Sequence, residues 1–101
     1  MDEPSARRIL REVAEDSSRV IFVSHAEQRM AQRGISDAQI IRALKNGRIV
    51  EGPYPDPKMG TGWRLTLETI SAGDPLRVVV TIFEDGAGNQ VLVITAFWSG
   101  Q

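Results

Sequence analysis

The spacing of apolar residues changes once along this chain, at Gly47, and this change constrains the fold more than any other feature of the sequence. Before Gly47, apolar residues recur every three or four positions, as on one face of an α-helix. After Gly47 they alternate with polar residues or form short apolar runs, as in β-strands. Helices followed by strands with short connections predict an α+β protein, because consecutive strands joined by short turns pair antiparallel.

The part of the chain before Gly47 contains three predicted helices, and the first two lie before Gly34. Residues 5–16 form an amphipathic pattern and predict the first helix. Ser24 and Glu27 have the spacing of a capping box, which predicts that the second helix begins at His25. Gly34 is placed to end that helix in the left-handed conformation. The apolar face of the first helix consists of Ala6, Ile9, Leu10, Val13 and Ala14.

A third helix is predicted from Ser36, which forms a second capping box with Gln39, to Gly47, a second terminating glycine. Two short helices meeting at Gly34 are similar to DNA-binding helix-turn-helix units. The second helix of such a unit reads bases with polar and basic side chains. The set of such side chains is small here, which argues against a DNA-binding function; it comprises Asp37, Gln39, Arg42, Lys45 and Asn46.

Three or four strands are predicted in the second half of the chain, and we expect an antiparallel meander with the N-terminal helices packed on it. The run from Val20 to Val23 is too short to assign on its pattern alone. Residues 52–62 are predicted to be a long loop, since alternating prolines interrupt a regular ladder. The predicted strands are 48–51, 63–68, 76–83 and 91–98.

Composition restricts the function classes. The 101 residues predict one domain, with residues 1–18 as an N-terminal amphipathic helix ahead of a core at 19–98. The chain has no cysteine and a single histidine, so we expect no metal site and no cofactor. It has no apolar run of membrane-spanning length, and acidic residues stand where a secretory signal carries basic ones, so we expect a cytoplasmic protein without a membrane partner.

Basic residues are concentrated in one region, although the net charge of the whole chain is −1. Residues 19–48 contain six basic and two acidic residues, a local net charge of +4. Within this region His25, Arg29 and Arg33 follow one another at four-residue steps, which places them along one edge of a helix. An imidazole followed by two guanidinium groups suits a phosphate or another anion.

Two segments of the chain are distinctive, SHAEQRMAQRGIS at Ser24–Ser36 and IIRALKNGRIVE at Ile40–Glu51. They are followed by a strand through Arg64, a valine-rich strand at 76–83 and a terminal ITAF at Ile94–Phe97. In these features the chain resembles a bacterial family called domain of unknown function 4258. The family implies a RelE-like fold, that of small toxin ribonucleases, in which helices pack on an antiparallel sheet.

That resemblance leads to the first functional hypothesis, an endoribonuclease toxin that acts on RNA. Cleavage by a 2′-hydroxyl requires a base, an acid and positive charge near the phosphorane. His25 is the candidate general base or acid, and Arg29, Arg33 and Arg64 are the candidates for holding phosphate. Arg64 is included on the expectation that its strand faces the helix pair. The candidate RNA-binding residues are Tyr54, Arg48 and Trp98.

The second hypothesis is a noncatalytic module that binds a protein partner through the proline-rich loop and a sheet edge. A protein partner fits both hypotheses, since an antitoxin would bind a ribonuclease in this way. The site residues also have ordinary structural interpretations. His25 would then make a surface hydrogen bond, the arginines would pair with glutamates, and the tryptophans would belong to the core. Whether the chain is an enzyme therefore stays open at the level of sequence.

Overall fold

Three α-helices pack on a five-stranded sheet in the computed structural model, which describes residues 1–100. The α+β class predicted from the sequence is confirmed. The helices are α1 (Glu3–Ala14), α2 (Ser24–Arg33) and α3 (Asp37–Asn46), with a 3-10 turn at Ser17–Arg19 between α1 and the first strand. The strands are β1 (Val20–Phe22), β2 (Arg48–Pro55), β3 (Trp63–Ser71), β4 (Asp74–Asp85) and β5 (Gly88–Trp98).

The sheet contains one strand more than predicted, and it is mixed. Strands β2 to β5 form the expected antiparallel meander, and β1 adds to β5 in parallel, giving the order β1-β5-β4-β3-β2. The pairing joins residues 20–22 to residues 91–93, about 70 positions apart in the chain. The short run of Val20 to Val23 could not be assigned from its pattern because its partner is so distant in sequence.

The core lies between the helices and one face of the sheet. Alternate residues of the central strands point toward the helices, among them Leu65, Leu67, Val78 and Val80, and all four are fully buried. From the helical side they meet an apolar cluster that includes Leu10 of α1, Met30 of α2 and Ile40 of α3. The intervening strand residues point to the opposite face, which carries no helix and is called the helix-free face below.

Helix α2 begins one residue earlier than predicted, and the prediction of a capping box formed by Ser24 and Glu27 is wrong. Val23 occupies the N-cap position and makes no side-chain cap bond. Its amide donates to the carbonyl of Val93 at 3.5 Å, and its own carbonyl accepts the amide of Glu27 at 3.0 Å. The chain therefore passes from β1 directly into the helix, which leaves Ser24 inside the first turn.

Helix α1 spans Glu3–Ala14 rather than the predicted residues 5–16, because Asp2 caps it by accepting the amide of Ser5. The predicted end of α2 and both predicted ends of α3 are confirmed, with one difference in mechanism. Gly34 is left-handed at φ 67°, and Ser36 and Gln39 form the complete capping box of α3. Gly47 ends α3 in an extended conformation at φ −70° rather than a left-handed one. A Cβ at this position would lie 2.5 Å from the carbonyl oxygen of Ala43, so close backbone approach requires glycine here.

The proline-rich segment is less of a loop than predicted. Strand β2 continues to Pro55, with Tyr54 opposite Arg64 and register shifts on either side of Glu51. Prolines are tolerated because β2 is an edge strand of the sheet and its outer side has no neighbouring strand that needs an amide. The irregular segment is therefore confined to residues 56–62.

None of the helices in residues 1–100 is long and apolar enough to cross a membrane.

Candidate functional site

Helix α2 places His25 and Arg29 side by side on its exposed surface. Nε of Arg29 donates to Nε2 of His25 at 3.5 Å, and Nη1 of the same guanidinium donates to Oε1 of Gln32 at 3.2 Å. The four-residue spacing in the sequence produces this contact, because residues i and i+4 are neighbours on a helix. Neither His25 nor Arg29 lies within 4.0 Å of a carboxylate oxygen of residues 1–100.

Arg33, the third residue of the predicted stripe, is turned onto the sheet. Its Nη1 donates to the carbonyl oxygen of Ala96 at 2.8 Å and contacts Oγ1 of Thr95 at 3.5 Å. Trp98 completes the connection, since its indole Nε1 donates to the carbonyl oxygen of Arg33 at 2.8 Å. That carbonyl is one of the groups that a helix end leaves without an internal partner. Arg33 and Trp98 therefore hold the end of α2 on β5.

Arg64 lies on the helix-free face, not on the face toward the helix pair as expected from the sequence. Its neighbours in the strand, Trp63 and Leu65, alternate with it, and Leu65 is in the core. Its Nη2 is 3.2 Å from Oδ2 of Asp56, in a pair whose side chains are 22% and 3% exposed. Because β3 is separated from β5 by β4, Arg64 does not belong to the same group as His25.

Asp56 is the centre of a buried polar cluster that sequence reasoning missed. Its Oδ1 accepts the amides of Lys58 and Met59 at 2.7 and 3.1 Å, and its Oδ2 accepts Oγ1 of the fully buried Thr81 at 2.6 Å. The hydroxyl of Thr81, then the two amides and the Arg64 charge, lower the pKa of Asp56 to about 2. The segment Pro55-Asp56-Pro57 was the available signal, since an aspartate in a turn bonds amides two and three residues ahead.

The cluster fixes the segment 56–62 onto the helix-free face beside Tyr54. Tyr54 is directly opposite Arg64 in the sheet and is 39% exposed. Nε of Arg64 is buried and has no hydrogen-bond partner in residues 1–100. Tyr54 and Arg64 are therefore neighbours on the helix-free face.

Arg48 belongs to a charged row farther along the same face. Glu68 accepts Nε of Arg77 at 2.9 Å and Nη2 of Arg48 at 3.1 Å. These two contacts, with Arg77 the stronger, lower the pKa of Glu68 below its ordinary value. The Arg48 side chain remains 73% exposed. The structure thus divides the seven predicted residues into three groups: His25 with Arg29, Arg33 with Trp98, and Arg64, Tyr54 and Arg48 on the helix-free face.

Comparison with known proteins gives one match. A family model described as a domain of unknown function (DUF4258) matches residues 22–98, which include α2, α3 and the whole sheet except the first two residues of β1. Neither the curated proteins nor the solved structures contain a match to the chain. Within residues 1–100 no three metal-ligating side chains of the His, Cys, Asp or Glu type come together.

Proposed function

The chain belongs to the DUF4258 family, and from this premise we propose that it is an endoribonuclease that cleaves RNA at the exposed surface of α2, through His25 and Arg29. The observation that carries the proposal is their contact. A histidine and an arginine lie within 3.5 Å of each other at the surface, and no carboxylate of residues 1–100 neutralises the guanidinium. Such a pair combines a proton-transfer group with a group that binds phosphate.

The chemistry of the pair suits attack by a 2′-hydroxyl on the adjacent phosphorus. In this proposal the guanidinium of Arg29 turns from Nε2 of His25 to the phosphate, which releases the lone pair of that nitrogen to take the hydroxyl proton. The 2′-oxygen forms a bond to phosphorus, the bond from phosphorus to the 5′-oxygen breaks, and water protonates the departing oxygen. Arg29 stabilises the charge on the phosphorane oxygens. The products carry a 2′,3′-cyclic phosphate and a 5′-hydroxyl.

The remaining arginines have other roles in this proposal. Arg33 positions α2 on β5, and Arg64 holds Asp56, so neither guanidinium takes part in the cleavage step. Tyr54 and Arg48 keep exposed surface and contribute contacts to RNA outside that step. The indole N–H of Trp98 is engaged by Arg33, which makes Trp98 a positioning residue for α2.

The experiment is a cleavage assay with the purified chain, on free RNA and on ribosome-bound messenger, together with induced expression and inspection of total RNA. We expect fragments that end in a cyclic phosphate, and we expect DNA of the same sequence to stay intact. His25→Ala and Arg29→Gln should each lower the cleavage rate by about 100-fold or more, as for loss of a proton-transfer group or an oxyanion donor.

The matched control is Arg8→Gln, which removes the same charge from an exposed position on α1. It should cleave at the wild-type rate, and all variants should unfold at the wild-type temperature. Intact RNA in every assay with soluble wild-type protein would contradict the proposal and favour the noncatalytic binding module. Equal activity of His25→Ala and wild type would reject His25 as the proton-transfer group.

A further inference from the structure

Strand β3 has an open edge at its end. Its pairing with β2 stops at Glu68, which is opposite Arg48, the first residue of β2. Strand β3 itself continues to Ser71, and residues 69–71 pair with β4 on one side only. No strand formed by residues 1–100 occupies the other side, where α3 lies alongside and Gln39 donates to Oγ of Ser71 at 2.8 Å.

The backbone of Ile70 faces this open edge. Ser71 and Asp74 flank a two-residue turn with φ of 52° and 85°, so they form the closing pair of a tight hairpin. Ladder bonds alternate along an antiparallel pair, so the next pair, Ile70 and Pro75, is not hydrogen-bonded. The carbonyl of Pro75 agrees with this: it accepts the amide of Ser99, on the β5 side, at 2.9 Å, so it points away from Ile70. Both the N–H and the C=O of Ile70 therefore point away from β4, into the open edge.

A cleft of about 350 Å³ lies at this edge. The side chain of Ile70 is 62% exposed, the highest value among the exposed large apolar residues of the sheet. The cleft is closed at one end by the start of β2. Arg48 occupies the line that an added strand would follow, two residues or about 7 Å from the position opposite Ile70. The cleft is lined by Asn46, Arg48, Glu68, Thr69 and Ile70.

We propose that this cleft binds the carboxyl-terminal segment of a protein partner, which adds to β3 as a short antiparallel strand. Backbone groups of the partner pair with Ile70, an apolar side chain contacts the exposed Ile70 side chain, and the terminal carboxylate binds Arg48 and Asn46. A chain that continued past this point would collide with β2, whereas a chain end fits. Main-chain bonding to a free edge is an established way of recognising extended peptides.

The charges at the closed end favour a carboxylate over an amino terminus. Arg48 is largely exposed, and Glu68 is already held by Arg77 as well as by Arg48. Two of the carbonyl groups at the end of α3, which would repel an anion, are engaged by α1: Arg7 donates to the carbonyl of Gly47 at 3.1 Å, and Arg11 to that of Lys45 at 3.3 Å.

The test begins with a library of random heptapeptides that carry a free C-terminus, selected on the immobilised full chain. An enriched peptide is then synthesised as the free acid and as the C-terminal amide, and its affinity is measured by fluorescence anisotropy. We expect the amide, and the free acid on Arg48→Gln, to bind about tenfold or more weakly, as for loss of a charged hydrogen bond. Ile70→Pro, which removes the edge amide, should abolish binding, whereas Ile70→Thr retains that amide and should bind measurably.

Amide exchange in the wild-type chain provides a test without substitutions. The Ile70 amide should exchange rapidly in the free protein and become protected when the peptide binds. The proposal is overturned if no peptide is enriched, if acid and amide bind equally, or if the Ile70 amide is already protected in the free chain. Ile70→Pro should retain the RNA cleavage rate of the wild type, which separates this surface from the pair on α2.

Discussion

The guanidinium of Arg33 donates a hydrogen bond to the carbonyl oxygen of Ala96 at 2.8 Å and so satisfies the backbone of β5 from the end of α2. Strand β1 pairs with β5 only at residues 91–93. Beyond that point α2 takes the place of a neighbouring strand. Arg33 was predicted from its spacing to bind phosphate together with His25 and Arg29. In the structure it instead attaches their helix to the sheet.

Replacing Arg33 by alanine should destabilise the fold. The hydrogen bond to Ala96 is only partly buried and Arg33 is an exposed residue, so its loss should cost about 1 kcal/mol and lower the melting temperature by about 4–8 °C. Arg29→Ala is the matched control, because Arg29 bonds only to exposed side chains of its own helix, and it should change stability by less than about 0.5 kcal/mol. Urea unfolding of both variants measures the difference, and equal losses would show that the bond to Ala96 contributes nothing particular.

Acid should remove the stabilisation that Asp56 provides. The pKa of Asp56 is about 2 in the folded chain, below the ordinary value of 3.8. A lowered pKa stabilises the fold by about 2 kcal/mol above the unfolded pKa, and this contribution disappears as the pH falls from about 4 toward 2. The unfolding free energy of wild type should exceed that of Asp56→Asn at neutral pH, and the gap should narrow over this range. A gap that stayed constant with pH would contradict this assignment.

Thr81 should control the pKa of Asp56 more strongly than Arg64 does. The hydroxyl of Thr81 donates at 2.6 Å and is the largest cause of the lowered pKa, whereas the charge of Arg64 is a smaller one. Thr81→Val retains the side-chain shape and removes the donor, so it should raise the pKa of Asp56 further than Arg64→Gln does. NMR titration of the Asp56 carboxyl carbon in both variants decides the order, and the reverse order would reject it.

Ser24 and Ser36, the two serines predicted to cap helices, should respond differently to substitution by alanine. Ser36 caps α3 through a complete capping box, so Ser36→Ala should cost about 1 kcal/mol. Ser24 lies inside the first turn of α2 and makes no cap bond, so Ser24→Ala should be neutral or slightly stabilising. Thermal unfolding compares the two, and a similar loss at Ser24 would restore the capping box that the sequence predicted.

Substitution by alanine should destabilise the fold by different amounts at Gly34 and Gly47, the two glycines that end helices. Gly34 is left-handed, and a Cβ there would point into open space, so Gly34→Ala should cost about 1–2 kcal/mol from backbone strain alone. Gly47→Ala should cost more, since its Cβ would lie 2.5 Å from the carbonyl oxygen of Ala43 and the backbone would have to move. Denaturant unfolding measures both changes in the free energy of unfolding. A smaller loss at Gly47 than at Gly34 would mean that the backbones of α3 and β3 move apart at little cost and would contradict this prediction.

The fold was predicted where its signals are local. Gly34 and the capping box of Ser36 were recognised because a helix end depends on residues within one turn. The four antiparallel strands were recognised because each has a local signal, an alternation of apolar residues at 63–68 and short apolar runs bounded by turns at 76–83 and 91–98. The parallel strand β1 was not assigned, because three residues carry no period and their partner lies near the other end of the chain.

The candidate site was only partly predictable. The contact of His25 with Arg29 follows from helical spacing, and it is present in the structure. The prediction that Arg64 joins these residues was wrong, because it depended on which face of the sheet the Arg64 side chain points to. Alternation along β3 places that side chain on the helix-free face. Asp56 was predicted only as part of a loop because its principal donor, Thr81, is 25 residues away.

The sequence by itself determined the order of the three helices and the four antiparallel strands, the helix ends at Gly34 and Ser36, and the side-by-side position of His25 and Arg29. These features depend on neighbours along the chain, within one turn of a helix or one strand. Only the tertiary structure decided that Arg33 holds α2 on β5, that the half-buried Arg64 pairs with Asp56, and that the end of β3 is open. Each of these depends on which distant segments pack together, and burial then determines whether a guanidinium is engaged or free.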